Sequence, residues 1–258
     1  MIQLEQLTKQ YGNKVALDHL NLHVGKGELF AFLGPNGAGK TTTIKLMCGL
    51  LFPTSGRVQI GEYDLAKDGQ KARQLISYVP DQPYLYEKLT GREVMEFVGE
   101  MYGMSRPRLV SRIQEMIDLF NLQGFVDDLT ERYSHGMRQR TVFAAALLHE
   151  PDLLIVDEPT VGLDPRSIRL LKDLLRKEAD RGGTVFLSTH SLDIAQELAD
   201  RIGVISQGKL IGCGTLQTLR DQAEMDGSLE EVFLKLTAED DQPLGPEVTT
   251  TESALKAQ

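Results

Sequence analysis

Residues 28–41 read Glu-Leu-Phe-Ala-Phe-Leu-Gly-Pro-Asn-Gly-Ala-Gly-Lys-Thr. The apolar run 28–33 suits a strand buried on both faces, and a helical pattern follows from Lys40 to Leu50. Between them, Gly34, Pro35, Asn36, Gly37, Ala38, Gly39, Lys40 and Thr41 fit the pattern GxxxxGK[ST]. Strand, glycine-rich turn, helix is the context in which that pattern cradles phosphate. Small glycines let successive backbone N–H groups converge on one anion, and the helix start adds its positive end. Lys40 is placed to bridge β- and γ-phosphates, and the Thr41 hydroxyl to face Mg²⁺.

A partner for this loop lies further along. Leu153-Leu154-Ile155-Val156-Asp157-Glu158 is an apolar strand that ends in two carboxylates. Asp157 is the candidate to hold the Mg²⁺ and Glu158 the candidate general base for an attacking water. Another apolar run, 184–188, ends at Thr189 and His190. The pair Asp164-Pro165 reads as an N-cap and first turn of a helix reaching about Arg181, closed by Gly182 and Gly183. The unit is βαβ, which implies a parallel sheet with polar residues collected at the carboxyl ends of its strands.

The flanking segments differ in period. The first 25 or so residues and 59–64 alternate like antiparallel strands. From Glu87 the apolar residues Val94, Phe97, Val98 and Met101, then Ile113, Met116, Ile117 and Phe120, recur at helical spacing. A helix over about 228–236 closes the ordered part of the reading. The acidic, Pro- and Thr-containing stretch 237–258 carries a net −4 of the total −9 and is expected to be a disordered tail.

Composition sets limits. At 41% hydrophobic and 25% charged, the 258 residues suit a globular chain with a sizeable core. The longest apolar stretch, Val142 to Leu148, is too short to cross a bilayer, so any membrane work needs another chain. The start of the sequence lacks the basic and apolar regions of a secretory signal. Two cysteines, Cys48 and Cys213, with no CxxC spacing suggest neither a disulfide framework nor a zinc site. The acidic balance argues against nucleic acid as a partner.

With the loop and the acidic strand in hand, the chain resembles the ATP-binding cassette (ABC) family, and further motifs follow in family order. Tyr11, followed by Gly12, stands where the family stacks an aromatic on adenine. Tyr133-Ser134-His135-Gly136-Met137 stands where the family has LSGGQ, Val161-Gly162-Leu163-Asp164 at the D-loop, and His190 at the switch histidine that reaches the γ-phosphate. The resemblance covers roughly residues 1–236. It implies an α/β fold: a P-loop NTPase core with a mostly parallel sheet, an antiparallel β edge subdomain and a helical insertion over about 87–149.

It also implies function. Tyr11, the loop residues 34–41, Thr42, Ser134 and Gly136 would bind ATP; Lys40, Glu158 and His190 would be catalytic; Thr41, Asp157 and Asp81 would hold Mg²⁺. Ser134 lies about 95 positions from Lys40, so by resemblance it and the Gly136 amide complete the site of a second cassette, in a homodimer or heterodimer. An integral membrane permease would be the other partner, with the chain cytoplasmic and peripheral on the inner face of the cell membrane. The segment 227–233, Gly-Ser-Leu-Glu-Glu-Val-Phe, and the 44 residues after Gly214 are similar to the ends of cassettes paired with exporter-type permeases. The alternative is a soluble or regulatory ATPase of the same type, uncoupled from transport.

Two departures stand out. His135 and Met137 replace a glycine and a glutamine of the signature, while Ser134 and Gly136 are kept. In Tyr78-Val79-Pro80-Asp81-Gln82-Pro83, Asp81 occupies the place where a glutamine is usual, with Gln82 one residue late. Asp81 is the favoured Q-loop residue.

Overall fold

The computed structural model describes residues 1–160 and 165–240. In chain order the elements are β1 (Ile2–Tyr11), β2 (Lys14–Val24), β3 (Leu29–Leu33), α1 (Lys40–Met47), β4 (Ser55–Ile60), β5 (Tyr63–Asp64), α2 (Gly69–Gln74) and β6 (Ile76–Val79). There follow α3 (Gly91–Met101), α4 (Arg106–Phe120), α5 (His135–Leu147), β7 (Leu153–Asp157), α6 (Pro165–Asp180), β8 (Thr184–Thr189), α7 (Leu192–Leu198), β9 (Arg201–Ser206), β10 (Lys209–Gly214), α8 (Leu216–Gln222) and α9 (Leu229–Asp240).

Every residue of β3, β7 and β8 is buried, as near-continuous apolar strands require in the middle of a parallel sheet. They form a six-stranded sheet in the order β10-β9-β3-β8-β7-β6, parallel except for the β9–β10 hairpin. Register pairs Leu33 with Thr189 and Asp157 with Ser188, so the carboxyl ends of the three central strands finish along one edge. That edge is where an open α/β sheet offers its crevice.

The alternating segments form a separate antiparallel sheet, β2-β1-β4-β5. Its inward residues, among them Leu4, Leu17, Leu22 and Ile60, share one core with Phe30, Phe32, Ile44 and Phe186. Between β6 and β7 the chain makes the helical arm α3–α5. A reciprocal Thr90/Glu93 capping box starts α3, and Asn121, at φ 51°, ends α4 in the left-handed conformation. Met95, Ile113, Met116 and Phe143 join this arm to Val156 and Leu187 of the sheet.

Two boundaries differ from expectation. Helix α1 ends at Met47 because Gly49, at φ 68°, turns the chain before Leu50. Helix α9 runs to Asp240, four residues into the stretch assigned to the tail; the acidic residues 239 and 240 do not stop a helix whose apolar face, Leu229, Val232 and Leu236, is buried. The rest of that tail, 241–258, lies outside the described residues, as does the expected N-cap Asp164. Among the described residues no helix is long and apolar enough to cross a membrane.

Candidate functional site: a phosphate loop facing two carboxylates

The loop leaves β3 and enters α1 through glycines that nothing larger could replace. A Cβ on Gly34 would lie 2.4 Å from the Ile205 carbonyl oxygen, and one on Gly39, already at φ +113°, would meet Leu17 and the Ala16 carbonyl at 2.7 and 2.8 Å. Gly39 caps α1 without any side-chain acceptor, so the first amides of the helix are left for an anion. Lys40 is only 7% exposed; its Nζ donates to Gly34 O at 2.6 Å and Pro35 O at 3.3 Å and stands 3.6 Å from Glu158 Oε1. A buried ammonium held on carbonyls at the loop is poised for a stronger anionic partner.

Opposite, at the end of β7, Asp157 is 1% exposed. The Thr41 hydroxyl donates to its Oδ2 at 3.3 Å, and its Oδ1 has no partner. Burial, reinforced by the nearby charges of Asp81 and Glu158, raises its pKa. A carboxylate oxygen buried without a donor, beside a hydroxyl and close to another carboxylate, fits a divalent cation.

Glu158 follows with φ 45°, a left-handed backbone that costs a non-glycine residue about 1–3 kcal/mol. The surroundings hold it there. Its N–H donates to Ser188 O at 2.9 Å, and its Oε2 accepts from the His190 backbone N–H at 3.2 Å and lies 2.8 Å from His190 Nδ1. The strain turns the side chain toward Lys40 rather than along the strand.

Around these groups is a cleft of about 490 Å³, lined by Tyr11, Lys14, Ala16, the loop, Lys40, Thr41, Thr42, Asp81 and Glu158. Tyr11, 45% exposed, lies under the Lys9 ammonium, 5.0 Å from its ring centroid. Asp81 lines this cleft and Gln82 does not; the Gln82 N–H donates to Asp81 Oδ1 at 2.7 Å. Lys14 and Ala16 were not anticipated; the hairpin that follows Tyr11-Gly12 was the available signal for them.

Ser134 and Gly136 are not in this cleft. Ser134 caps α5, its Oγ accepting from the Met137 N–H at 3.3 Å, and both it and His135 are exposed. A Cβ built on Gly136 meets nothing within 4 Å. Tyr133 anchors this corner from behind: its hydroxyl accepts from Gly91 N–H at 3.2 Å and donates to Phe125 O at 2.8 Å, which gives the unusual first residue of the motif a buried structural task. One link escaped the sequence. Gln139, on α5, donates to the carbonyl of Pro159, the residue after Glu158. The D-loop stretch 161–164 lies outside the described residues.

A lysine-bearing loop, an acidic pair on the neighbouring strand end and a shared edge of a parallel sheet define a P-loop NTPase. The chain belongs to the ABC transporter family, whose family model matches residues 17–161. The probable multidrug ABC transporter ATP-binding protein YbhF of Escherichia coli K12 is 39% identical over 240 residues, covering 92% of this chain but 41% of YbhF. The chain thus spans less than half the length of that relative. Among solved structures, an ATP-binding subunit of an ABC transporter matches with TM-score 0.87 and 33% identity over 92% of this chain and 99% of its own. A dimeric cassette in a post-hydrolysis state, bound to ADP and Pi, matches with TM-score 0.76 and 29% identity over 84% of this chain and 99% of its own.

Proposed function

We propose that the chain hydrolyses ATP as the motor subunit of an exporter, driving a separate membrane permease from the inner face of the membrane. The chain of contacts at the cleft, Lys40 to Glu158, Glu158 to His190 and Thr41 to Asp157, carries the reading. The family match and the names of the relatives support it.

In this reading the loop amides and Lys40 bind the β- and γ-phosphates, Tyr11 stacks on the adenine, and Thr42 adds a hydroxyl behind Thr41. Thr41, Asp157 and Asp81 would hold Mg²⁺, which when bound would neutralise phosphate charge. Glu158 takes the proton of a water aimed at the γ-phosphorus; the new P–O bond forms as the bond to the β-phosphate oxygen breaks, giving ADP and phosphate. His190 orients Glu158 through the 2.8 Å contact and faces the same γ-phosphate. Ser134 and the Gly136 amide close the site of a second cassette, identical or related, so that two nucleotides are held between two subunits.

The permease would dock where Tyr84, Tyr86, Phe97 and Met101 stand exposed around a groove beside α3. Exposed aromatics clustered like this mark interaction surfaces, and they favour transport over the uncoupled alternative. Two measurements test the proposal. Purified chain should turn over Mg-ATP, and Lys40→Ala should abolish turnover while its circular dichroism stays native. Retained turnover in Lys40→Ala overturns the assignment of the loop. Membranes solubilised in detergent should yield the chain with a membrane-spanning partner; recovery of the chain alone, with full ATPase activity, favours the uncoupled alternative.

A further inference from the structure

A second cavity lies away from the nucleotide cleft, between α4, α5 and α6. Its volume is about 190 Å³, and its walls are mainly Leu119, Phe120, Phe143, Leu170 and Leu174. An apolar cavity of about 150 Å³ is enough to hold benzene, so this one is large enough for a small ring. Gln139 is set into the wall, 6% exposed. Its Nε2 is used on the Pro159 carbonyl, but its Oε1 has no hydrogen-bond partner. Buried amide oxygens are rarely left so.

Arg140, in the same wall, does not supply the missing donor. Its Nε donates to the Gly136 carbonyl at 3.4 Å and its Nη1 to those of Phe120 and Asn121 at 3.3 Å. A mostly apolar groove whose one buried, unmatched polar atom is an acceptor selects for a particular chemistry: a ring or short apolar body carrying a single O–H or N–H donor.

We propose that this groove is a binding site for a small apolar molecule bearing one hydrogen-bond donor. The body packs on Leu119, Phe143, Leu170 and Leu174, and a small shift of the Gln139 side chain, whose Oε1 is buried in this structure, brings that oxygen to the donor. Because the other end of the same amide holds Pro159, beside Glu158, occupancy is felt at the water-activating carboxylate. That second consequence rests on the role proposed for Glu158; the binding does not.

The test uses the full chain and two probes of similar shape, 4-methylphenol and toluene, titrated while the leucine methyl resonances are followed by NMR. Both should give saturable shifts in Leu119, Leu170 and Leu174, with 4-methylphenol about tenfold tighter, the worth of one added hydrogen bond. Leu170→Lys, at a position 60% exposed and so tolerant of a charge, should abolish both. Gln139→Met should keep the groove and make the probes equal. Absence of saturable shifts, equal affinities in the wild type, or binding indifferent to Leu170→Lys overturns the site. Shifts at these methyls that track protein concentration without any probe would assign the groove to a second copy of the chain and overturn it as well. Saturating 4-methylphenol should change kcat for ATP at least twofold with KM unchanged; an unchanged kcat removes the link to Glu158. The NMR result stands even for a chain that proves inactive on ATP.

Discussion

The loop at 34–41 and the start of α5 at 133–137 are both glycine-bearing turns that open helices, yet they are finished in opposite ways. Around the first, the proposed catalytic and metal-binding side chains meet in pairs: Lys40 with Glu158, Thr41 with Asp157, Glu158 with His190. Around the second, Tyr133 is tied down behind while Ser134, His135 and the face of Gly136 look outward. In the proposed reading, one half of the chemistry is closed within the chain and the other is presented for a second copy outside it. Isolated chains should therefore bind nucleotide well and complete the reaction only when a second copy supplies the missing face.

The largest expected effect probes the closed half. Glu158→Gln keeps the size of the side chain but removes the base, so turnover should fall by about 10²–10⁴. ATP affinity should hold, because Lys40, Thr41 and Asp157 are untouched. With ATP bound and not consumed, sedimentation in Mg-ATP should show a dimer that strengthens as nucleotide is raised. A monomer hydrolysing at the wild-type rate would erase the distinction between the two halves.

The open half is tested in that trapped background. Ser134→Arg places a bulky cation where a partner's phosphate would sit, and Ser134 makes only a local cap that the fold can spare. The dimer should weaken by at least roughly 10²-fold, the scale for an uncompensated misfit at an interface, while a fluorescent ATP analogue still binds each monomer. Loss of nucleotide binding along with the dimer would mean that Ser134 serves its own chain's cleft.

A smaller effect separates Asp81 from its neighbour. Asp81 lines the cleft and its charge is felt by Asp157, whereas Gln82 does not line it. Asp81→Asn should raise the Mg²⁺ needed for half-maximal turnover by about tenfold, the worth of roughly one charge-assisted contact. Gln82→Ala should leave it within twofold. The reverse order would move the Q-loop role to Gln82.

What the sequence revealed follows the same division. The β3–loop–α1 unit and the end of β7 were legible because glycine sterics, lysine and paired carboxylates are local signals. Asp81 was readable as a departure, but only the cleft showed which of two neighbours faces inward. Strand order was not legible: β3, β7 and β8 are uniformly apolar, and such runs do not say which neighbour they pair with. The strained backbone of Glu158 and the Gln139–Pro159 link were equally hidden, since the first is held by contacts from the neighbouring strand β8 and the second arises where the helical arm meets the sheet.

That seam between the two regions carries the smallest effect, one on stability rather than activity. His149, just after α5, stacks on Tyr102 with ring centroids 3.5 Å apart, its Nε2 is 3.5 Å from Ser77 Oγ on β6, and its Nδ1 is buried without a partner. Burial, with the cations of Arg108 and Arg181 adding, lowers its pKa to about 4 from 6.5. The folded state then binds fewer protons than the unfolded chain between those values, so the contribution is whole above pH 6.5 and is lost as pH falls toward 4. At full value it is at most about 3 kcal/mol, less whatever water reaches the ring. His149→Phe keeps an aromatic against Tyr102 and removes the titration. Denaturant melts at pH 7 and pH 4.5 should show the wild type losing more stability than the variant by about 1–3 kcal/mol. Equal losses would mean that the ring protonates freely in the fold, and that the arm is packed on the sheet too loosely for His149 to sense their junction.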